Sequence, residues 1–475
     1  MRVATGALSI LGRRLPANAV APPAILRQDA HVMELGTSLP RLIGPVPGPR
    51  SVAWVEQLSQ TECPALTLRR ARRQERLGAP EDPIVWARAR GANVEDADGN
   101  VFVDLSAGFG AAMVGHAHPR VTRAIAEQSE RLMHALGDMQ PADVKIALLA
   151  RLARLVPGPT RVMLGLSGSD AIEAALKTAL LYTGRPGVVA FHGSYHGLSH
   201  GPLAACGFDA SFREPFAAQL NPHVRFAPYP EHTDQLPDVL AAVDAAFSGD
   251  ANSKPGAVLV EPILGRGGII IPPVRFLSDL QALCHQHDAL LVVDEIMTGM
   301  GRTGSMFAFE HSSVRPDLVC VGKGLGGGMP VSACIGREEV MAAWGESSGA
   351  ALHTGTFFGH PVAAAAALAT LEVLDDERLP ERARVLGQTL CDALQPLLAR
   401  PEVKAIRGRG LLVGIEMDSP QRSLACMRAL LKRGYITVPA GADARVVSLT
   451  PPLSISSEQL LGFVTAFTES TQVTA

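Results

Sequence analysis

From residue 161 onward, short runs of wholly apolar residues alternate with longer stretches of helical periodicity. This alternation constrains the fold more than any other feature of the chain. The strand candidates are residues 161–166, 188–191, 257–261, 289–294, 318–321 and 331–335. A strand with one wet face alternates polar and apolar residues, so runs apolar at every position must be covered on both faces. Between them lie amphipathic segments such as 276–287, with Phe276, Leu277, Leu280, Leu283 and Cys284 on one side. Strands separated by helices predict an α/β chain whose central sheet is mostly parallel, and ligands then belong at the C-terminal ends of the strands.

The flanks read differently. Residues 36–82 are rich in Pro and Arg, with a short helical signal at 54–60, and read as an arm. Asp98-Gly99 between apolar alternations is a hairpin signal, and a loop of small residues follows at 106–115. After Pro361 an alanine-rich helix leads to strand candidates at 409–417 and 446–449, which suit a smaller α+β domain. The expected division is an extension at 1–35, an arm with part of the small domain at 36–115, a large domain at 116–365 and a C-terminal small domain at 366–475. The first 28 residues carry four arginines and no acid. That composition fits a transit peptide, but an extended start with Met33 as the real initiator is the preferred reading.

Composition removes several function classes. With 43 basic and 46 acidic residues the net charge is −3, which gives no field to attract nucleic acid. No apolar run approaches the roughly 18 residues that span a bilayer. The seven cysteines are widely spaced and contain no C-x-x-C, which fits reduced thiols in a cytoplasmic chain better than disulfides or a zinc site. No metal site is expected. Only six of the 43 basic residues are lysines, which makes each lysine informative.

Four strand ends carry the chemistry. Strand 161–166 runs into Ser167-Gly168-Ser169-Asp170 and a helix, whose free N–H groups suit a phosphate, although the same residues also make a plain N-cap. Strand 188–191 leads to His192, Tyr195 and His196. Strand 290–293 ends in Asp294-Glu295, acids that need partners if buried. Strand 318–321 ends in Gly322-Lys323-Gly324, and a partly desolvated lysine between glycines is suited to forming a Schiff base. Together these describe a site for pyridoxal 5′-phosphate. The lysine binds its aldehyde, the aspartate keeps its ring nitrogen protonated, the helix N-terminus takes the phosphate, and the aromatic covers the ring.

The chain resembles the class III aminotransferases of the fold-type-I pyridoxal-phosphate enzymes, the group of ornithine, acetylornithine and 4-aminobutyrate aminotransferases and glutamate-1-semialdehyde aminomutase. The resemblance covers roughly 84–465. It rests on Gly115-His116-Ala117-His118-Pro119, Ser167-Gly168-Ser169-Asp170, Tyr195-His196-Gly197, Glu261-Pro262, Asp294-Glu295-Ile296-Met297-Thr298-Gly299, Gly322-Lys323-Gly324, Thr356-Phe357-Phe358-Gly359-His360-Pro361 and Thr450-Pro451-Pro452-Leu453. It implies that Lys323 carries the cofactor and shuttles the proton, and that Asp294 pairs with the ring nitrogen. Tyr195 stacks on the ring, Ile296 packs on its other face and Met297 lies near the ring oxygen. Ser167, Gly168, Ser169 and His196 complete the cofactor contacts. Thr356 reaches the phosphate of a neighbouring subunit, so a homodimer or larger homo-oligomer with shared sites is implied. Phe109 and Gly355 are candidate substrate contacts.

Departures from the family pattern bear on the substrate. Many members read Glu-Pro-x-Gln-Gly-Glu where this chain has Glu261-Pro262-Ile263-Leu264-Gly265-Arg266. Members acting on amino acids usually carry an arginine where this chain has Ser448, and Leu198 stands where the acetylornithine enzyme has another. Arg266 is therefore the candidate for holding a substrate anion. The resemblance implies an aminotransferase moving an amino group between an amino acid or amine and a keto acid or aldehyde. The alternative is a racemase or epimerase, aminomutase or ammonia-lyase acting on a single amino substrate.

Overall fold

The computed structural model describes residues 35–67, 83–248, 250–345 and 349–471. The expected N-terminal extension lies outside them, except for Leu35, and so does 68–82 of the arm.

The central sheet has seven strands in the order Thr160–Gly165, Ser332–Arg337, Leu318–Val321, Leu290–Asp294, Pro255–Val260, Gly187–Phe191, Val224–Ala227. Only Ser332–Arg337 runs antiparallel to its neighbours. The inner strands Pro255–Val260, Leu290–Asp294 and Leu318–Val321 are buried at every residue, as their unbroken apolar character requires. One face of the sheet is covered by a cluster that includes Phe191, Phe276, Leu280, Val293 and Val321, and the other by a cluster that includes Ile172, Ala175, Leu259, Val292 and Cys320.

All six expected large-sheet strands are present to within two residues. The seventh, Val224–Ala227, was not expected. It pairs only with Gly187–Phe191, at the sheet edge, and Arg225 interrupts its apolar character. Residues 409–417 are a correction. They do not form one strand, because Val403–Arg409 and Leu412–Met417 make a hairpin that turns at Gly410, where φ is +57°. A Cβ there would fall 2.5 Å from the Arg302 carbonyl oxygen, so glycine alone fits.

Two smaller sheets flank the large one. One contains Val403–Arg409, Leu412–Met417, Val446–Leu449 and Val438–Ala440. In the other, Trp86–Arg90, Asn93–Asp96 and Val101–Asp104 are joined by Tyr435–Ile436, so the N-terminal hairpin and the C-terminal region share a sheet. The expected division at 365/366 falls inside the helix Pro361–Asp376. Among the described residues no helix is long and apolar enough to cross a membrane, and no group of three His, Cys, Asp or Glu side chains is placed to hold a metal. All seven cysteines are free thiols, of which only Cys63 is exposed.

Candidate active site

Leu290–Asp294 and Leu318–Val321 are parallel neighbours, with Asp294 opposite Cys320. Their C-terminal ends therefore open side by side, carrying Asp294 on one and Lys323 two residues beyond the other. Lys323 has φ +37°, a left-handed conformation that Gly322 and Gly324 on either side accommodate. The lysine as a whole keeps partial exposure. Its amine nevertheless lies deep enough that desolvation lowers its pKa, with Asp294 and Glu261 opposing the shift and Arg266 adding to it. Among the described residues the amine makes no hydrogen bond or ion pair. A lowered pKa and the lack of a partner are what a nucleophilic lysine requires.

Asp294 is buried at 3% exposure. Its Oδ1 accepts from the Ile296 N–H at 3.0 Å, and its Oδ2 lies 2.7 Å from His196 Nδ1. With the carboxylate ionised, Nδ1 donates. His196 Nε2 is buried with no partner among the described residues.

Glu261 is the member of this cluster that sequence reasoning missed. Its side chain accepts from two backbone N–H groups, Tyr195 at 2.8 Å and Gly265 at 3.0 Å. Burial pushes its pKa up to about 7, with His196 opposing and Asp294 adding to the shift. One carboxylate thus joins the Tyr195 loop to the turn bearing Arg266. That turn is further held by Arg407, which donates to the carbonyls of Gly268 at 3.0 Å and Ile269 at 3.2 Å, and by Gly441 N–H, which donates to the Arg266 carbonyl at 2.9 Å.

The result is an aromatic cage around Arg266. The Arg266 guanidinium lies 4.3 Å from the Tyr195 ring centroid, 4.8 Å from Phe208 and 5.5 Å from Phe212. No carboxylate among the described residues pairs with it. A guanidinium surrounded by aromatic rings and not paired with a carboxylate keeps its N–H donors for a bidentate contact. Ser448, at the position of the absent family arginine, is buried in the strand Val446–Leu449 opposite Gly414. Met297 packs against Gly265 beside Arg266.

At the first strand end, Ser167 caps the helix Gly168–Thr183 in a capping box: its hydroxyl accepts from Asp170 N–H, and the Asp170 carboxylate accepts from Ser167 N–H. The N-cap alternative is thus realised for the Ser167 hydroxyl. Gly168 and Ser169 stand in the first turn, where N–H groups lack helical acceptors. A Cβ on Gly168 would meet Ile296 Cδ1 at 2.8 Å, and one on Gly197 would meet Ser169 Oγ at 2.1 Å. The helix start, the Tyr195-His196-Gly197 loop and Ile296 therefore converge too closely for larger residues.

Next to Lys323 lies a turn with four consecutive positive φ angles: Ala107 +45°, Gly108 +57°, Phe109 +62° and Gly110 +85°. Left-handed backbone costs a residue with a Cβ about 1–2 kcal/mol. A Cβ on Gly110 would lie 3.7 Å from Lys323 Cδ. Thr356 and Gly355 are not brought to this cluster within the chain. Gly355 lines a cavity of about 370 Å³ with Lys145, Trp344 and His353, and Thr356 lines a neighbouring crevice with His134, Lys145 and His360.

The donor set fits pyridoxal phosphate: an unpartnered amine, a buried carboxylate fixed by a histidine, a glycine-lined helix N-terminus and an aromatic beside them. A parallel sheet presenting such a set at its strand ends defines a pyridoxal-phosphate enzyme of fold type I. More narrowly, the chain belongs to the class III aminotransferase family, whose model matches residues 77–470.

It is 39% identical over 380 residues to an acetylornithine aminotransferase from Methanopyrus kandleri, covering 80% of this chain and 92% of that protein. It is 34% identical over 443 residues to an alanine/serine racemase from Pyrococcus horikoshii, covering 88% and 90%. The crystal structure of ornithine aminotransferase from Toxoplasma gondii matches with a TM-score of 0.77 at 30% identity, covering 89% of this chain and 94% of that one. The chain is a pyridoxal-phosphate-dependent aminotransferase by family.

Proposed function

We propose that this aminotransferase takes an amino donor bearing a carboxylate, that Lys323 is the cofactor-binding and proton-transferring residue, and that Arg266 holds the carboxylate. The observation that carries the substrate reading is the guanidinium stacked over Tyr195 with no acid partner among the described residues. Bound pyridoxal phosphate supplies an electron sink that weakens the bonds at the substrate carbon bearing nitrogen.

The chain does the rest. Asp294, fixed by His196, keeps a negative charge at the ring nitrogen. Gly168 and Ser169 take the phosphate at the helix N-terminus, with Ser167 setting its geometry. Tyr195 and Ile296 would enclose the ring, with Met297 on the side of its oxygen. Lys323 Nζ would take the proton from the substrate carbon bearing nitrogen and deliver it to the cofactor carbon that had held the aldehyde. Its lowered pKa favours the free base that this step needs.

In this reading Thr356 serves the site of a neighbouring subunit, which makes the enzyme a homodimer or larger, and its free cysteines suit the cytoplasm. Phe109 borders the substrate of its own chain, Gly355 that of the neighbouring site, and the large and small domains join through the helix Pro361–Asp376.

The racemase relative matches more of the chain than the acetylornithine relative, and this favours a second reading in which one amino acid is both substrate and product. Donor added alone separates the two. An aminotransferase should lose its visible cofactor band in proportion to donor and release one keto product per site. A racemase keeps the band and inverts the donor. Borohydride reduction followed by peptide mapping should place the cofactor on Lys323, and a label on another lysine would refute that assignment.

A further inference from the structure

The helix Gly168–Thr183 has a second attachment beyond its first turn. Lys177 Nζ lies 3.4 Å from His353 Nδ1, and the Trp344 indole N–H donates to the Thr178 hydroxyl at 2.9 Å. Two neighbouring residues of one helix thus grip the chain at Trp344 and again at His353. Asp170, Glu173 and Lys177 recur at helical spacing on one side of that helix, and Glu173 Oε1 lies 3.9 Å from Lys177 Nζ. These charges act on His353. Burial lowers its pKa and Lys177 adds to the shift, while Glu173 and Asp170 oppose it. The neutral ring then accepts from Lys177 at Nδ1 and carries its own proton on Nε2.

His353 passes this hold to the turn that follows it. Its ring meets Phe358 at 5.6 Å and Trp344 at 6.1 Å between centroids. Phe358 N–H donates to the Gly355 carbonyl at 2.9 Å, and a Cβ on Gly355 would fall 2.9 Å from the Phe358 ring. Thr356 stands inside this turn and is exposed. Packing beneath the turn is incomplete, because His353, Gly355 and Phe358 all line the cavity of about 370 Å³. Gly359, against the Lys145 side chain, sets the far end. The near end depends on the contact between His353 and Lys177.

We infer that His353 and Lys177 are positioning residues that act on the neighbouring site: they hold the turn bearing Thr356 where it meets that subunit's cofactor phosphate, and so set cofactor affinity there and not in their own chain. The inference rests on the reading of Thr356 as a contact to the neighbour's phosphate. It gives one helix two tasks. Its N-terminus takes the phosphate of its own chain, and Lys177, about 13.5 Å further along the axis, supports the contact to the other.

The test uses hybrid dimers made by co-expressing two differently tagged full-length chains. One chain carries Lys323→Ala, so that only the other can form the visible cofactor band. Titration of the apo hybrid with pyridoxal phosphate then reports a single site. Placed on the Lys323→Ala chain, His353→Phe keeps the aromatic contacts but removes the acceptor. It should weaken the visible site roughly tenfold, the size of a lost hydrogen bond from a charged donor. Placed on the chain that keeps Lys323, the same substitution should leave the visible site unchanged. His353→Asn in the first arrangement should stay near the unsubstituted hybrid, because its side-chain oxygen can stand where Nδ1 stood.

Equal weakening in both arrangements, or weakening only in the second, overturns the inference. Lys177→Met should follow the same pattern and keeps the question answerable if His353→Phe does not fold. Thr356→Ala on the Lys323→Ala chain tests the underlying reading. If it leaves the visible site unchanged, the Thr356 assignment falls and the inference with it. If it weakens that site while His353→Phe and Lys177→Met in the same place do not, the inference alone fails.

Discussion

Asp294 and His196 meet at 2.7 Å in a pocket where both side chains are nearly sealed from solvent, and the second ring nitrogen of His196 has no protein partner among the described residues. A carboxylate that must stay charged opposite a ring nitrogen benefits from a donor that cannot wander. Replacing His196 with Asn leaves Asp294 buried but less well fixed. His196→Asn should lower kcat by roughly 10–100-fold, the usual size of losing a group that orients a ligand-holding residue, while the protein still binds cofactor. Asp294→Ala should do much worse, because it removes the carboxylate that the proposed function sets against the ring nitrogen. Steady-state kinetics with a cofactor titration of each variant decide this. Equal losses from the two variants would show that His196 does more than orient.

Arg266 gives the clearest prediction about substrate. Removing a bidentate contact to a carboxylate costs about 1.5–3 kcal/mol, or roughly 10–100-fold in KM. Arg266→Ala should therefore weaken carboxylate-bearing donors and leave simple amines unaffected. Arg266→Lys should recover little, because an ammonium lacks the planar fork that pairs with a carboxylate while resting over the Tyr195 ring. Parallel KM measurements on an amino acid and its decarboxylated analogue read the difference, and equal losses on both would remove Arg266 from substrate recognition.

The phosphate end can be tested through Gly197. Its φ of +116° disfavours any side chain, and a Cβ would lie 2.1 Å from Ser169 Oγ. Gly197→Ala must push the loop away from the helix start, so the apoenzyme should bind pyridoxal phosphate at least about tenfold more weakly, a cost of roughly 1.4 kcal/mol. Equilibrium titration of apoenzyme with cofactor checks it, and an unchanged Kd would mean that Ser169 is not a phosphate ligand.

Much of this was legible in sequence because strands buried on both faces leave unbroken apolar runs, and whatever polar residue ends such a run is conspicuous. Asp294 and Lys323 stood out for that reason, and Asp104 ends the run Val101-Phe102-Val103 in the same way without having been singled out. Glu261 follows Val258-Leu259-Val260 and was seen only as part of a motif. Its work, accepting two backbone N–H groups on separate loops, depends on chain crossings that no local pattern encodes. The cage around Arg266 was illegible for the same reason, since Phe208 and Phe212 approach it only once the Tyr195 loop has folded over. The hairpin turn at Gly410 was missed because the first arm, with Lys404, Arg407 and Arg409, breaks the apolar pattern of a strand and the turn offers only two residues.

Glu295 supplies a prediction about stability. It is 1% exposed, and burial pushes its pKa up to about 7, although the Thr298 hydroxyl at 2.5 Å and the Phe309 N–H at 2.8 Å favour the charged form. The native state therefore keeps a proton that the unfolded state releases near the ordinary glutamate value of about 4.3. Between those two pH values the folded chain binds more protons than the unfolded one, so this group makes stability fall as pH rises from about 4.3 to about 7, and adds no further slope above that. The full effect is on the order of 3 kcal/mol. Glu295→Gln keeps an acceptor for Phe309 and a group able to donate to Thr298, but does not titrate. The difference in unfolding free energy between wild type and Glu295→Gln should therefore move in favour of the variant across this window and be flat outside it. Chemical denaturation of both holoenzymes at several pH values measures that difference. A constant difference from pH 4 to 8 would show that Glu295 is charged throughout and that its two hydrogen bonds outweigh burial.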